Sequence, residues 1–326
     1  MSVCLGLDTS NYTTSAAIWQ DGAIHQVKRL LPVKPGELGL RQSDAVFHHV
    51  QQLPELMDKL WKPGCGKALS AVCDAPITAI AASDRPQQRE GSYMPCFLAG
   101  MGAARELAAV LHVPCYRFTH QQGHVAAALF GSERTAWIRE PFLAFHVSGG
   151  TTDALLVRPD KEDILRCETV GRSRDLKAGQ LIDRVGGLLG LPFPAGPALE
   201  KLASRAPGWD SAGRLPRPSL EGADCHLSGV ENQCRTMKEK GAPDEEVALF
   251  CLRSVLAAVS GMTQALLRVY GNLPVVYAGG VMSNSLLRRE LEAAYNGTFA
   301  PPAYSADNAA GIALLCSLRE KGASRL

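Results

Sequence analysis

At 326 residues the chain is longer than one hydrophobic core usually organises, so two domains or lobes are expected. Its 34 basic and 32 acidic side chains leave a net charge of +2, which excludes a global polycation; any nucleic-acid partner must be met by a local patch. The ten cysteines never form Cys-x-x-Cys and lie mostly in apolar segments such as VCLGLD and LFCLRS, the pattern of buried thiols in a reducing cytosol. With no basic-then-apolar leader before the first predicted strand and no run of about 18 apolar residues, a soluble, cytoplasmic protein without a membrane partner is expected.

In chain order, LGLDTSNYTTSAAIW (residues 5–19) reads as strand, small polar turn and strand, and AIHQVKRLL continues it as a third strand. Helical periodicity runs from about Asp44 to Leu60, with His48 and His49 read as ordinary helix-surface residues. The buried strand ITAIAAS follows, then the loop DRPQQREGSYMPCF. There Arg85 and Arg89 could meet phosphate and Tyr93 could stack on a base, although a solvated loop is the plainer reading. An Ala-rich helix from about Cys96 to Leu111 and the strand VPCYRFT complete the half.

The segment THQQGHVAAALF then sets His120 and His124 at i and i+4 on one helix face, Cβ atoms about 5 to 6 Å apart. Two imidazoles can share an ion but do not hold it firmly, so a third ligand is needed; the alternative is a solvated or capped pair. A His-Glu-x-x-His protease needs its general base directly after the first histidine. That position is Gln121, so no protease is expected.

LAFHVSGGTTDALLV (residues 143–157) aligns without a gap with residues 5–19, pairing Leu5 with Leu143, Ser10 with Ser148, Thr13 with Thr151, Thr14 with Thr152 and Ala16 with Ala154. Its sequel repeats in kind. The strand DILRCETV is followed by helices over AGQLIDRVGGLLG and AGPALEKLASRA, a long helix from about Asp244 to Tyr270, the strand VVYAGG and a helix from Ser283. Two such copies predict an α/β fold of two similar lobes with a cleft between them. The expected lobes are 1–136, with the final helix 308–326 packed back on it, and 137–307, with an irregular insertion at about 206–243.

Three turns offer ligand chemistry. SGGTT has unhindered amides and hydroxyls suited to phosphate, or two glycines that merely close a hairpin. Gly279 and Gly280 would let a flat ring approach the backbone, with Ser283 capping the next helix and the Asn284 amide free to read a ligand; a plain strand-to-helix turn is the alternative. Asp183 on a helix, with Gly196 in a Pro-bounded turn after it, suits the vicinal hydroxyls of a ribose; alone it would be a surface residue.

Taken in order, LGLDTS, THQQGH, VSGGTT, AGGVMSN and SADNAAGIA resemble the actin, hexokinase and heat-shock-chaperone ATPase superfamily. More narrowly they resemble the TsaD family of tRNA threonylcarbamoyladenosine transferases, whose older name is O-sialoglycoprotein endopeptidase. The match spans nearly the whole chain and is strongest over LIDRVGGLLGLPFPAGPALEKLA. The resemblance implies two actin-like, ribonuclease H-like lobes and one divalent ion, Fe or Zn, on His120, His124 and Asp307. It implies threonylcarbamoyl adenylate, an ATP-type nucleotide ligand, at Val147, Ser148, Gly149, Gly150, Thr151, Asp183, Gly196 and Asn284. The reaction implied is attack on the carbamoyl carbon by the exocyclic amine of the adenosine 3′ of a tRNA anticodon, with AMP leaving. Implied partners are tRNA, a shorter inactive TsaB-like paralogue and a small TsaE-like ATPase, docking through helices of the first lobe.

Departures gather at the reacting side. The family's Asp-Glu pair in the first turn is Tyr12 and Thr13, so carboxylate help in removing the proton from the attacking amine is absent, and Asp8 on the preceding strand is not expected to reach that amine. Thr151 stands for a histidine, Gln122 for a glutamate, and the loop after ITAIAAS lacks the Gly-Pro-Gly run. The catalytic residues are therefore unassigned. Two readings follow: a divergent transferase, or a paralogue that binds adenylate and metal as a regulatory or scaffold subunit or serves another acceptor.

Overall fold

The computed structural model describes residues 2–10, 12–32, 40–61, 75–210, 215–305 and 309–323. The chain divides into two compact units. The first comprises Met1–Glu140, Arg158–Cys167 and Ala303–Leu326, the second Pro141–Val157 and Glu168–Pro302.

In the first unit β1 (Val3–Ser10), β2 (Thr13–Gln20) and β3 (Ala23–Leu30) form an antiparallel meander. After α1 (Gln42–Trp61), strand β4 (Ile77–Arg85) joins β1 in parallel; after α2 (Phe97–Leu111), β5 (Cys115–Thr119) joins β4 and runs into α3 (His120–Gly131). The order is β3-β2-β1-β4-β5. Strands β1 and β2 are buried on both faces, which explains their nearly continuous small and apolar sequence. Leu5, Leu7, Ile18, Ile80 and Ala82 pack with Leu53 and Leu60 of α1 and with Ala104 and Ala108 of α2. The other face takes the C-terminal helix Ala310–Ala323, which approaches so closely that a Cβ on Gly6 would stand 2.4 Å from the Ala313 nitrogen.

His49 is not on the surface. It lies on the buried face of α1 with Ala45, Gln52, Leu53, Leu56 and Leu60, and its Nδ1 is 2.8 Å from Thr14 Oγ1. Nε2 is buried and has no partner among the described residues. Burial pushes the imidazole down to about 4, against the pull of Asp8 and with a small push from His48. Between that value and about 6.5 the unfolded chain binds the proton and the folded one does not. Stability is therefore complete above pH 6.5 and falls as the pH drops towards 4, by about 2 to 4 kcal/mol. Melting curves of wild type and His49→Gln across this range should diverge; parallel curves would show that His49 does not set the acid limb.

The second unit repeats the design. β6 (Phe142–Val147), β7 (Thr152–Asp160) and β8 (Ile164–Arg172) precede α4 (Ala178–Leu188) and α5 (Gly196–Ala203). The hairpin β9 (Ser219–Glu221) and β10 (Asp224–His226) leads to α6 (Ser228–Glu239) and α7 (Asp244–Tyr270). β11 (Val275–Ala278), α8 (Ser285–Tyr295) and β12 (Thr298–Phe299) complete it. The order β12-β11-β6-β7-β8 is that of the first sheet, with β6, β7, β8, β11 and β12 in the places of β1 to β5. Tyr277 stacks between Phe145 and Phe299, centroids 5.1 and 5.0 Å away, and its hydroxyl meets Thr263 Oγ1 at 2.9 Å. α7 is long and apolar enough to cross a membrane by length and composition, but 72% of its most apolar window is buried, as in a core helix.

Part of the expected irregular insertion is regular. α6 buries only Cys234, so no apolar stripe announces it. Its start is fixed from a distance: Asp175 accepts from the backbone of Leu227 and Ser228 and from the Ser228 hydroxyl at 2.8, 3.2 and 2.5 Å. Four such bonds, counting Leu176 N–H, hold the Asp175 carboxyl at about 2 despite its burial.

Candidate metal and nucleotide sites

In the first unit the carboxyl ends of β1, β4 and β5 converge, the usual place for ligand chemistry in parallel α/β sheets. Helix α3 begins directly after β5 and is fixed by a capping box between Thr119 and Gln122. His120 opens it, and its Nδ1 lies 3.2 and 3.1 Å from the two carboxylate oxygens of Asp8. Asp8 is fully buried; it accepts from Ser83 Oγ at one oxygen and from Ser10 Oγ at the other, 2.9 Å away. Asp8 thus reaches the histidine motif, because β1 and β4 run parallel and end side by side. With the Nδ1 proton held by Asp8, His120 presents a bare Nε2.

That atom stands 2.9 Å from Nε2 of His124. The two rings are hydrogen-bonded to each other here; two nitrogens bound at about 2.1 Å to one tetrahedral ion would lie about 3.4 Å apart, so the pair would need to open by only about 0.5 Å to share one. The pair therefore fits a shared ion, with Asp8 as its orienting carboxylate. Asp307, the third expected ligand, lies outside the described residues. Among the described residues no group of three His, Cys, Asp or Glu side chains is set to hold an ion by itself.

Gln122, where a glutamate was expected, is structural. Its Oε1 accepts from the Thr119 amide and hydroxyl at 2.7 and 2.9 Å, and its Nε2 donates to the carbonyls of Asp163 and Leu165 at 3.2 and 2.7 Å. A glutamate has no hydrogen for those carbonyls and would bury a charge. Gln122→Glu should cost about 2 to 4 kcal/mol, measurable by urea denaturation at neutral pH.

In the second unit Val147 is the buried end of β6, and the turn from Ser148 to Thr151 follows. The turn is partly closed on itself: Ser148 Oγ accepts from the amides of Gly150 and Thr151 at 3.3 and 3.2 Å, and Thr151 Oγ1 bridges Ser148 Oγ at 3.0 Å and His146 Nδ1 at 3.3 Å. Fewer amides face a ligand than the sequence suggests. Helix α4 starts against this turn, its Gly179 so close that an added Cβ would lie 2.6 Å from the Gly149 nitrogen. Gly149 and Gly150 themselves face open space.

Gly279 and Gly280 divide their roles. Gly279 has φ +101°, and a Cβ there would meet the Val147 carbonyl oxygen at 2.2 Å, so it serves the packing of β11 on β6. Gly280 faces open space and is the one a ring could approach. Asp183 Oδ1 accepts from the amide of Ala195, the N-cap of α5, at 2.8 Å; Gly196 is thus the first residue of that helix rather than part of a turn, and the second Asp183 oxygen is left for a ligand. Asn284, not Ser283, caps α8: its Oδ1 accepts from the Leu287 amide at 3.1 Å, so only its amide nitrogen is available. A 3-10 turn, Gly280–Ser283, delays the helix and shifts the cap by one residue.

Two copies of one α/β sheet, with polar groups gathered at strand ends, make an actin-like fold. The fold matches component A of the (R)-2-hydroxyglutaryl-CoA dehydratase of Acidaminococcus fermentans with a TM-score of 0.55, covering 99% of this chain and 100% of that one at 16% identity. Full-length HypF, in a phosphate- and nucleotide-bound form, matches with a TM-score of 0.60 over 98% of this chain and 55% of that one, at 13% identity. The chain belongs to the TsaD family, described as tRNA N6-adenosine threonylcarbamoyltransferase, whose family model matches residues 38–314. Proteins of that name from Thermus thermophilus and Salinibacter ruber are 30% and 31% identical to it. The alignments cover 95% and 99% of this chain and 90% and 94% of theirs.

Proposed function

We propose that this chain transfers the threonylcarbamoyl group from threonylcarbamoyl adenylate to the exocyclic amine of the adenosine 3′ of the anticodon in tRNA. Family membership supports the reaction class, and the observation that carries the reading is the His120 and His124 pair held by Asp8. A divalent ion, Fe or Zn, would be bound by His120 and His124 together with Asp307, and when bound would polarise the carbamoyl group. The open turn at Gly149 and Gly150, with Gly280, Asp183 and the Asn284 amide, would hold the adenylate and orient its mixed anhydride.

The family's first-turn carboxylates are absent. Thr13 is buried at the start of β2, and the Tyr12 carbonyl accepts from Leu31 N–H at 2.8 Å, so this turn is a structural one. The buried carboxylate near the histidines is Asp8, whose part is to fix the His120 ring. Proton removal from the attacking amine then falls to solvent or to the leaving phosphate, and catalysis rests on positioning and charge stabilisation. A TsaB-like paralogue and a TsaE-like ATPase are the partners that such a reaction cycle would use.

The test is AMP release from threonylcarbamoyl adenylate, with and without tRNA, together with mass spectrometry of the nucleosides of that tRNA. Faster release with tRNA and new threonylcarbamoyladenosine support the transferase. Tight adenylate binding with no turnover would instead make the chain a binding subunit.

A further inference from the structure

Strand β4 alternates its side chains between the two faces of the first sheet. Ser83 turns to the side of Asp8, whereas Asp84 turns to the side of α2 and lines a groove of about 410 Å³ with Phe97, Leu98, Met101, Arg105 and Arg117. This groove takes no part in the sites described above, yet it adjoins one of them: the Phe97 ring in its wall lies 6.2 Å from the His120 ring, centroid to centroid.

Its groups are unevenly satisfied. Asp84 Oδ1 is buried and has no hydrogen-bond partner among the described residues; Oδ2 lies 3.5 Å from Arg85 Nη1. Burial raises the Asp84 carboxyl above its ordinary range, although Arg85 and Arg117 pull the other way. Arg105 and Arg117 are exposed and make no ion pair among the described residues. Leu98, in the apolar wall, is 57% exposed.

The occupant that meets all of these has an anionic group for two guanidiniums, a flat apolar body, and a hydrogen-bond donor on its edge for Asp84 Oδ1. We infer that this groove binds one unpaired nucleotide of the RNA substrate, its base against Phe97, Leu98 and Met101, its edge donating to Asp84 and its phosphate held by Arg105 and Arg117. The inference rests on the transferase reading and deepens it. An acceptor adenosine brought to His120 must come from an unpaired loop, so a neighbouring nucleotide of that loop lies within reach of Phe97. The groove is open to solvent, and the loop between β4 and α2 adds exposed Arg89 and Tyr93, so the strand can continue past it.

The test uses the full chain and a fluorescently labelled anticodon stem-loop RNA, with binding followed by anisotropy over a series of salt concentrations. R105A/R117A, both surface changes, should weaken binding about 10- to 100-fold and flatten the salt slope by about 0.7, the contribution of the one single-stranded phosphate deprived of its guanidiniums. In turnover with intact tRNA the effect should fall on KM for tRNA rather than on kcat. A 4-thiouridine placed in the loop should cross-link to the peptide from Phe97 to Arg105. If wild type modifies tRNA while the double variant keeps its affinity and salt slope, or if the cross-links fall elsewhere, the groove is not an RNA site and the transferase reading stands. If wild type neither binds nor modifies tRNA, both readings fall together.

Discussion

Asp8→Ala is expected to lower the affinity of the His120 and His124 pair for its ion by about 10- to 100-fold and to slow AMP release with it. The carboxylate makes no ion contact in this account. It holds His120 Nδ1 at 3.1 to 3.2 Å, which selects the tautomer that leaves Nε2 bare and aims that atom at His124. Without it the ring can turn and the proton can move to the other nitrogen. Ser10 and Ser83 would be left facing a cavity. Metal content after dialysis against a weak chelator, measured by mass spectrometry, separates this role from a purely structural one. Asp8→Asn, which still accepts a hydrogen bond, should lose less. An alanine variant that retains metal as firmly as wild type would remove Asp8 from the site.

The second large effect is expected at a residue with no side chain. The C-terminal helix crosses α3 at Gly311, where an added Cβ would lie 1.8 Å from the Gly123 carbonyl oxygen and 2.8 Å from the Ala127 nitrogen. Neither neighbour is a flexible side chain. Gly311→Ala must push the two helices apart and should destabilise the protein by about 3 kcal/mol or more, visible in urea denaturation. Because α3 carries both histidines near its start, the folded fraction should also bind metal more weakly. An alanine variant of wild-type stability would mean that the helices can separate here without cost.

Much of this architecture is written in the sequence as repetition. The gapless match of residues 5–19 with 143–157 corresponds to the hairpins β1–β2 and β6–β7, and the two sheets share one strand order. Helical periodicity places α7 at Asp244–Tyr270 because its apolar stripe is long and uninterrupted by turns. What is not legible depends on distant partners. α6 is capped by Asp175, about fifty residues earlier, and its face is polar. Asp8 meets His120 only because strands far apart in the chain end together. His49, by contrast, is legible: Ala45, His49, Leu53, Leu56 and Leu60 keep helical spacing, and position on that stripe outweighs the polarity that suggests a surface residue. Gln122 differs from the family glutamate for a reason found only in the backbone, since two carbonyls beside it need a donor.

The first unit is assembled from three stretches of chain, and the last of them is the C-terminal helix against its central strands. On the ribosome, therefore, the half that emerges first is the half finished last. Strands β1 to β5 can pair early, but one face of that sheet, small and apolar, waits uncovered until the helix Ala310–Ala323 has been made. The carbonyls that satisfy Gln122 also arrive late, in the segment Arg158–Cys167. A nascent chain arrested before residue 310 should consequently present a sticky surface to chaperones, and loss of the helix Ala310–Ala323 should leave the first unit unfinished.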